Sequence, residues 1–387
     1  MWRKISPKII LALSAAVILA LVSTVQADSW STPVNLTSSP ETNADSCISG
    51  DGNKIAFARN DGGDWEIYVV NSDGTGITQL TDNSVDDRDP SISYDGSKVA
   101  FRHGIFGKRQ ICVINSDGAG FNQLTDGSHD DVQLSISGDG SRIAFTRIID
   151  KNIHLFVVNS DGTGLKQLTE SKSDYIPFVN NPSISYDGSK IAFQDGITIL
   201  ANIFVINSDG TGLTQLTSNS EYRKSSLPSI SGDGSKVTFV HSSSMLNENN
   251  TEIFVINSDG SGLTQLTSND IGDTYPSISG DGKKVAFQQS FDNCTEIFVI
   301  NSDSSGLTQL TSNNVNDQYP SISNRGDKVV FESNGDIFLV SNSVQEAPDQ
   351  TSESNWQSTF PTEVIIIGVT AVAVMAVMAV IVYLKKK

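Results

Sequence analysis

One eleven-residue pattern constrains this chain more than any other feature. It runs Cys47-Ile-Ser-Gly-Asp-Gly-Asn-Lys-Ile-Ala-Phe57 and returns from Ser91, Ser135, Ser183, Ser229, Ser277 and Ser321, seven copies whose starts lie 44, 44, 48, 46, 48 and 44 residues apart. A second pattern, as in Ile203-Phe-Val-Ile-Asn-Ser-Asp-Gly-Thr-Gly-Leu-Thr-Gln-Leu-Thr217, follows each of the first six copies. A period of this length marks four-stranded propeller blades.

The fourth unit shows how each blade is made. Pro182 to Ser185 forms an inner strand, and Tyr186-Asp-Gly-Ser189 is a tight turn in which Gly188 takes positive φ cheaply. Lys190 to Phe193 returns with Ile191 and Phe193 on one face and Ala192 on the other. The third strand, Ile203 to Ile206, is apolar without alternation, as expected of a sheet buried on both faces. Asn207 to Gly212 turns the chain into an outer strand, Leu213 to Thr217. A lone blade cannot bury two apolar faces, so the units must stack, and a ring leaves the fewest open edges. The seventh unit stops after Ile337-Phe-Leu-Val340, while an orphan Val34-Asn-Leu-Thr37 precedes the first. The expectation is an all-β, seven-bladed propeller of four-stranded antiparallel blades, closed by this N-terminal strand, with 28 strands in all.

The Ser-x-Asp-Gly-x-Lys-Ile-Ala-Phe and Asp-Gly-x-x-Leu-x-x-Leu-Thr motifs resemble the WD40-like PD40 repeats of the TolB-type propeller family, over about residues 31 to 341. The resemblance implies a propeller. TolB carries an N-terminal α/β domain that nothing in this chain matches, and TolB-like propellers commonly have six blades.

The ends differ in kind from the repeats. Residues 1–27 carry Arg3, Lys4 and Lys8, an apolar stretch from Ile9 to Leu21, and a small residue at Ala27. That is the layout of a secretory signal peptide, with an uncleaved anchor as the alternative. Val364 to Leu384 gives 21 uncharged residues, about 31 Å as a helix, which matches a bilayer core. Lys385 to Lys387 follow, so the positive-inside rule puts the C-terminus in the cytoplasm and the propeller outside the cell or in the periplasm. The expected order is signal peptide 1–27, propeller 28–343, flexible stalk 344–362 and transmembrane helix with basic tail 363–387. With six basic residues in the two end segments, Asp28 to Glu363 keeps 20 basic against 44 acidic residues, a net of -24. Such a surface repels a phosphate backbone, which excludes nucleic acid as a partner.

Function has to sit where the repeats vary. The Asp-Gly and Asn-Ser-Asp-Gly turns are nearly uniform and share one end of the propeller, whereas the second-to-third loops and the crossovers vary and share the other. In the crossovers an acid recurs at Asp87, Asp131, Asp273 and Asp317, placed either to crowd the tunnel mouth and attract a cation or basic peptide, or to cap a turn. Tyr275, Tyr319, Trp65 and Phe291 offer stacking surfaces for a sugar or peptide, or pack their own loops. Asn249 and Asn293 begin accessible glycosylation sequons, whereas the sequon at Asn35 falls in the closing strand.

Other motifs fail on spacing. Gly74-Thr75-Gly76 lacks the third glycine of a dinucleotide loop, and the Asn-x-Asp-Gly turns offer too few ligands for calcium. His103, His129, His154 and His241 stand apart, and no nucleophile elbow, zinc-protease helix or phosphate loop occurs. Cys47, Cys112 and Cys294 are too dispersed for a disulfide framework or a zinc site. No catalytic residue, cofactor or metal is assigned. The leading expectation is a non-enzymatic scaffold that binds an envelope or extracellular protein, peptide or glycan. The alternative is a hydrolase or lyase acting through loop carboxylates.

Overall fold

The computed structural model describes residues 28–170, 179–196, 200–218, 224–242 and 250–342. They form 28 strands in seven four-stranded antiparallel sheets. In blade 1 the strands follow from inner to outer as Thr42–Ile48, Lys54–Asn60, Trp65–Asn71 and Thr78–Gln79, and blades 2 to 6 repeat that order. Blade 7 has Asp317–Ile322, Lys328–Ser333 and Asp336–Ser341, and its outer place is taken by Val34–Asn35 from the chain's start. Val34 pairs with Leu339 and Asn35 with Phe338, which is the expected closure. Around it, Leu36 N donates to Ile337 O at 2.8 Å, and Asn35 Nδ2 and Thr37 Oγ1 donate to the Asp336 carboxylate at 2.9 and 2.7 Å. Asn35 is thereby committed to the closure. Among the described residues no helix is long and apolar enough to cross a membrane; the segments 1–27 and 343–387 lie outside them.

The core explains the repeat. The pattern's last residue is Phe57, Phe101, Phe145, Phe193, Phe239, Phe287 or Phe331, and all seven side chains are fully buried. In six blades that ring stacks on its cross-strand partner in the third strand, for example Phe145 on Phe156 at 5.6 Å. Blade 2 has Cys112 there instead. Each apolar cluster mixes residues of two adjacent blades, as in Ile67 and Val69 with Val99 and Phe101. Packing between sheets therefore carries the stability, and the ring is one unit.

The polar residues of the pattern join blades as well. The hydroxyls of Ser91, Ser135, Ser183, Ser229, Ser277 and Ser321 each accept the N–H of an inner-strand isoleucine in the following blade, at 3.1–3.3 Å. The pattern's lysine is a second staple. Lys98, Lys190, Lys236 and Lys328 each donate to a turn-glycine carbonyl and a serine hydroxyl of the next blade, with Arg142 doing the same in blade 3. Lys328 reaches Gly52 and Ser72 of blade 1, so this staple also crosses the closure. In blade 6 Lys284 pairs with Asp28 instead.

At the turn end the tunnel is narrow. Backbone hydrogen bonds run from blade to blade around it, with Tyr94 N donating to Gly138 O, Tyr186 N to Gly232 O and Asn324 N to Gly50 O at 2.8–2.9 Å. Gly50, Gly138, Gly232 and Gly280 share that ring with Tyr94, Tyr186 and Asn324. A Cβ at Gly50 would fall 2.2 Å from the Tyr94 ring, and one at Gly138 2.3 Å from Tyr186. What remains is a hollow of about 140 Å³.

Candidate functional site: the tunnel mouth

The opposite end is built differently from the same seven inner strands. Each carries a β-bulge where pairing with the second strand skips, between Ala44 and Cys47 in blade 1, at the matching place in five others, and one residue earlier, between Asp131 and Leu134, in blade 3. The bulged position, two residues before the pattern's start, is held by Asp45, Asp89, Gln133, Asn181, Leu227, Tyr275 and Tyr319. Six of these have left-handed backbones, with φ between 52° and 56°. In five blades the next residue is proline, which has no N–H for the ladder. Asparagine and aspartate tolerate this conformation, but leucine and tyrosine adopt it only under strain, of order 1–3 kcal/mol each. The surroundings hold the bulges in place. Asn181 N donates to Gln133 Oε1 at 2.7 Å, Tyr319 N to Gln288 Oε1 at 2.9 Å and Asp89 N to Asp45 Oδ2 at 3.3 Å.

These residues divide the mouth into sectors. Blades 5 to 7 give an apolar wall in which Leu227, Pro228, Tyr275, Pro276, Tyr319 and Pro320 line a hollow of about 310 Å³. The two tyrosines meet edge to face at 4.7 Å and stay 40% and 42% exposed. Blades 2 to 4 give a polar hollow of about 660 Å³ that includes Asp89, Arg102, Gln133 and Asn181. The two hollows share Asn181 and Pro228, so they form one continuous depression.

Blades 1, 2 and 7 concentrate charge. Arg88 Nε binds Asp45 and Arg102 binds Asp89, both at 2.9 Å, while Glu332 accepts the Ser46 N–H at 3.2 Å. The mouth's walls strip water from the Glu332 carboxyl and the neighbouring Asp45 repels its charge, which pushes its pKa up to about 7. Asp89 is raised for the same two reasons. Three carboxylates therefore share two guanidinium partners. The Ser46 hydroxyl, in the lining of the apolar hollow, is buried with no hydrogen-bond partner among the described residues.

The four crossover aspartates are elsewhere. Asp87, Asp131, Asp273 and Asp317 are completely buried and face no opening. Asn83, Asn269 and Asn313 donate to Asp87, Asp273 and Asp317 at 2.7, 3.0 and 2.8 Å. Asp131 grips Arg147 through two bonds of 2.6 and 3.0 Å, and His103 meets Asp87 at 2.6 Å. Burial raises Asp273 to about 6. The expectation that these carboxylates crowd the mouth gives way to the turn-bracing alternative, because the bulge that follows brings a later residue to the surface. Trp65 braces its own loop beneath the Arg88 guanidinium at 4.0 Å. Phe291 is partly exposed beside Phe298. Asn293 is exposed, whereas Asn249 lies outside the described residues. Sequence reasoning placed Tyr275 and Tyr319 among the variable residues but missed Asp45, Asp89, Gln133, Asn181, Leu227 and Glu332. The available signal was variation immediately before a repeated Pro-Ser or its equivalent. Among the described residues no group of three or more His, Cys, Asp or Glu stands close enough to hold a metal ion.

A ring of seven repeat-built blades, with a narrow uniform end and a varied end that holds the larger hollows, defines a β-propeller. The PD40 family, described as the TolB beta propeller domain, matches residues 31–226 and 178–364, and the chain belongs to it. No curated protein matches the chain at a significant level. Among solved structures it is similar to an oligogalacturonate lyase from Vibrio parahaemolyticus, with 16% identity, TM-score 0.62, and 81% of this chain and 97% of that chain covered. It is also similar to TolB from Acinetobacter baumannii, at 17% identity and TM-score 0.51 over 70% of this chain and 67% of that one. The β-propeller domain of the Trilobed protease from Pyrococcus furiosus, described as having an open velcro topology, aligns at 12% identity and TM-score 0.56 over 76% and 91%. At these identities the likeness is one of fold.

Proposed function

We propose that the protein is a binding scaffold that takes a segment of a protein, peptide or glycan into the tunnel mouth. One observation carries this reading: left-handed backbone recurs at six of seven equivalent mouth positions whose side chains differ, on a ring whose other end is uniform. Strain kept at residues that contribute little packing is a mark of function. Two hollows of about 660 and 310 Å³ also match the size of ligand sites. The last described residue, Asn342, follows the third strand of blade 7 at the turn end. We read the segment beyond it as a membrane tether, with the propeller on the outer side.

A second reading rests on one group. Glu332, near pKa 7 beside Asp45, has the character of a general acid, which suits an extracellular hydrolase or lyase acting on polysaccharide or peptide. Its carboxylate is held against the Ser46 amide at the mouth wall, which favours binding over proton transfer.

The test compares captures from envelope extract by three immobilised proteins: wild type, Tyr275→Ala/Asp89→Ala, and the turn-end variant Leu213→Ala. The binding reading expects one species held by the first and third and lost by the second. Equal capture by all three, or turnover of a polysaccharide or peptide pool that stops with Glu332→Gln, overturns it.

A further inference from the structure

Resting on the mouth as the binding site, we infer that its sectors select a cationic, apolar peptide segment, with a lysine or arginine side chain received between Asp45, Asp89 and Glu332 and an aromatic or aliphatic side chain against Tyr275 and Tyr319. Three observations point the same way. The first is charge. Asp45 and Asp89 lie close enough for the backbone of one to bond the carboxylate of the other, and beside them Glu332 holds its proton up to about pH 7, with Arg88 and Arg102 already bound to the two aspartates. A third cation completes the pairing, which neither a neutral nor an acidic sugar does.

The second is the unmet hydroxyl of Ser46. It belongs to the wall between the acidic and apolar sectors, lines the apolar hollow, and has no partner among the described residues. A buried polar atom left without a partner costs about 1–3 kcal/mol, and since this oxygen is shielded from water, a χ1 rotation toward the hollow is what would bring it to a backbone amide or carbonyl of a bound peptide. The third is the form of the aromatic wall. Tyr275 and Tyr319 meet edge to face, with prolines beside them, so they enclose one inserted side chain rather than offering the flat platform on which sugar rings stack. Asn181, shared by both hollows, already accepts Gln133 Nε2 at Oδ1 at 3.1 Å, which leaves its side-chain NH2 to donate to a carbonyl of an extended backbone.

The experiment uses the full chain in detergent and fluorescein-labelled hexapeptide pools. One pool carries one lysine and one phenylalanine at every relative spacing. In a second norleucine replaces lysine, and in a third alanine replaces phenylalanine. Anisotropy is expected to show saturable binding of the first pool, at least tenfold weaker binding of the second and about fivefold weaker binding of the third, with affinity falling as salt rises. Asp89→Asn should erase the lysine preference and keep the phenylalanine preference, and Tyr319→Asn should do the reverse, with melting curves as controls. Salt dependence in the wild type tests the charge sector without any substitution. Equal binding of the norleucine pool, or chitohexaose held at the mouth when no peptide is, overturns the inference but leaves the mouth as the site. Binding of the first pool that neither Asp89→Asn nor Tyr319→Asn alters overturns both.

Discussion

The two ends of the central tunnel are made by the same seven strands, yet they obey opposite rules. At the turn end the chain is pared to glycine wherever a neighbour's tyrosine needs room, and backbone groups bond from blade to blade. Variation is penalised there because any added atom meets a ring or a backbone. At the mouth every strand bulges, proline or a bulge breaks the ladder, and residues as unlike as Asp45, Leu227 and Tyr319 occupy one backbone conformation. A repeat fold thus separates what must stay constant from what is free to change, and it does so along individual strands of five to seven residues.

That contrast can be broken experimentally. The largest effect should come from the closure on which both ends depend. Deleting residues 28–37 removes the paired strand, the buried Leu36 and the Asp28 partner of Lys284. A loss of about 5 kcal/mol, or a Tm lower by roughly 10 °C or more, is expected by calorimetry. Next comes the turn end, where Gly138→Ala forces a Cβ to within 2.3 Å of Tyr186. A cost of about 3 kcal/mol in a denaturant melt is expected, and a neutral result would show that this end is not tightly packed.

The charged sector predicts a pH effect with a definite sign. The folded state holds the Glu332 proton more tightly than the unfolded chain, so its contribution is most favourable at low pH and declines as pH rises from about 4.5 through about 7. Glu332→Gln should therefore match wild type at pH 4 and exceed it at pH 8 by roughly 3 kcal/mol. A variant less stable than wild type at pH 8 contradicts the assignment. The smallest effect is the most diagnostic. Tyr275→Gly loses an edge-to-face contact but relieves a left-handed backbone, so Tm should stay within about 2 °C of wild type although a large residue is gone. A fall of several degrees would mean that the tyrosine serves the fold.

How much was legible in advance follows from the same division. Blade number, turn glycines, the buried phenylalanines and the N-terminal closing strand were all readable, because each satisfies a repeated local requirement. The roles of the repeated serine and lysine were hidden, because their partners lie one blade away and more than 40 residues along the chain. The bulge was hidden too. It shifts the register after Asp87, Asp131, Asp273 and Asp317, so the acids that looked exposed are interior brackets and the residue two places on meets solvent. Tyr275 and Tyr319 were noticed for their chemistry, whereas Glu332 carried no local signal because only the fold brings it beside Asp45.

The central claim is that ligands enter at the mouth and not at the uniform end. It is tested most directly by placing the photo-crosslinker p-benzoylphenylalanine at position 319 or position 213 of the full chain and irradiating it in its native envelope. A discrete crosslinked adduct is expected from position 319 and none from position 213. An adduct from position 213 alone would contradict it.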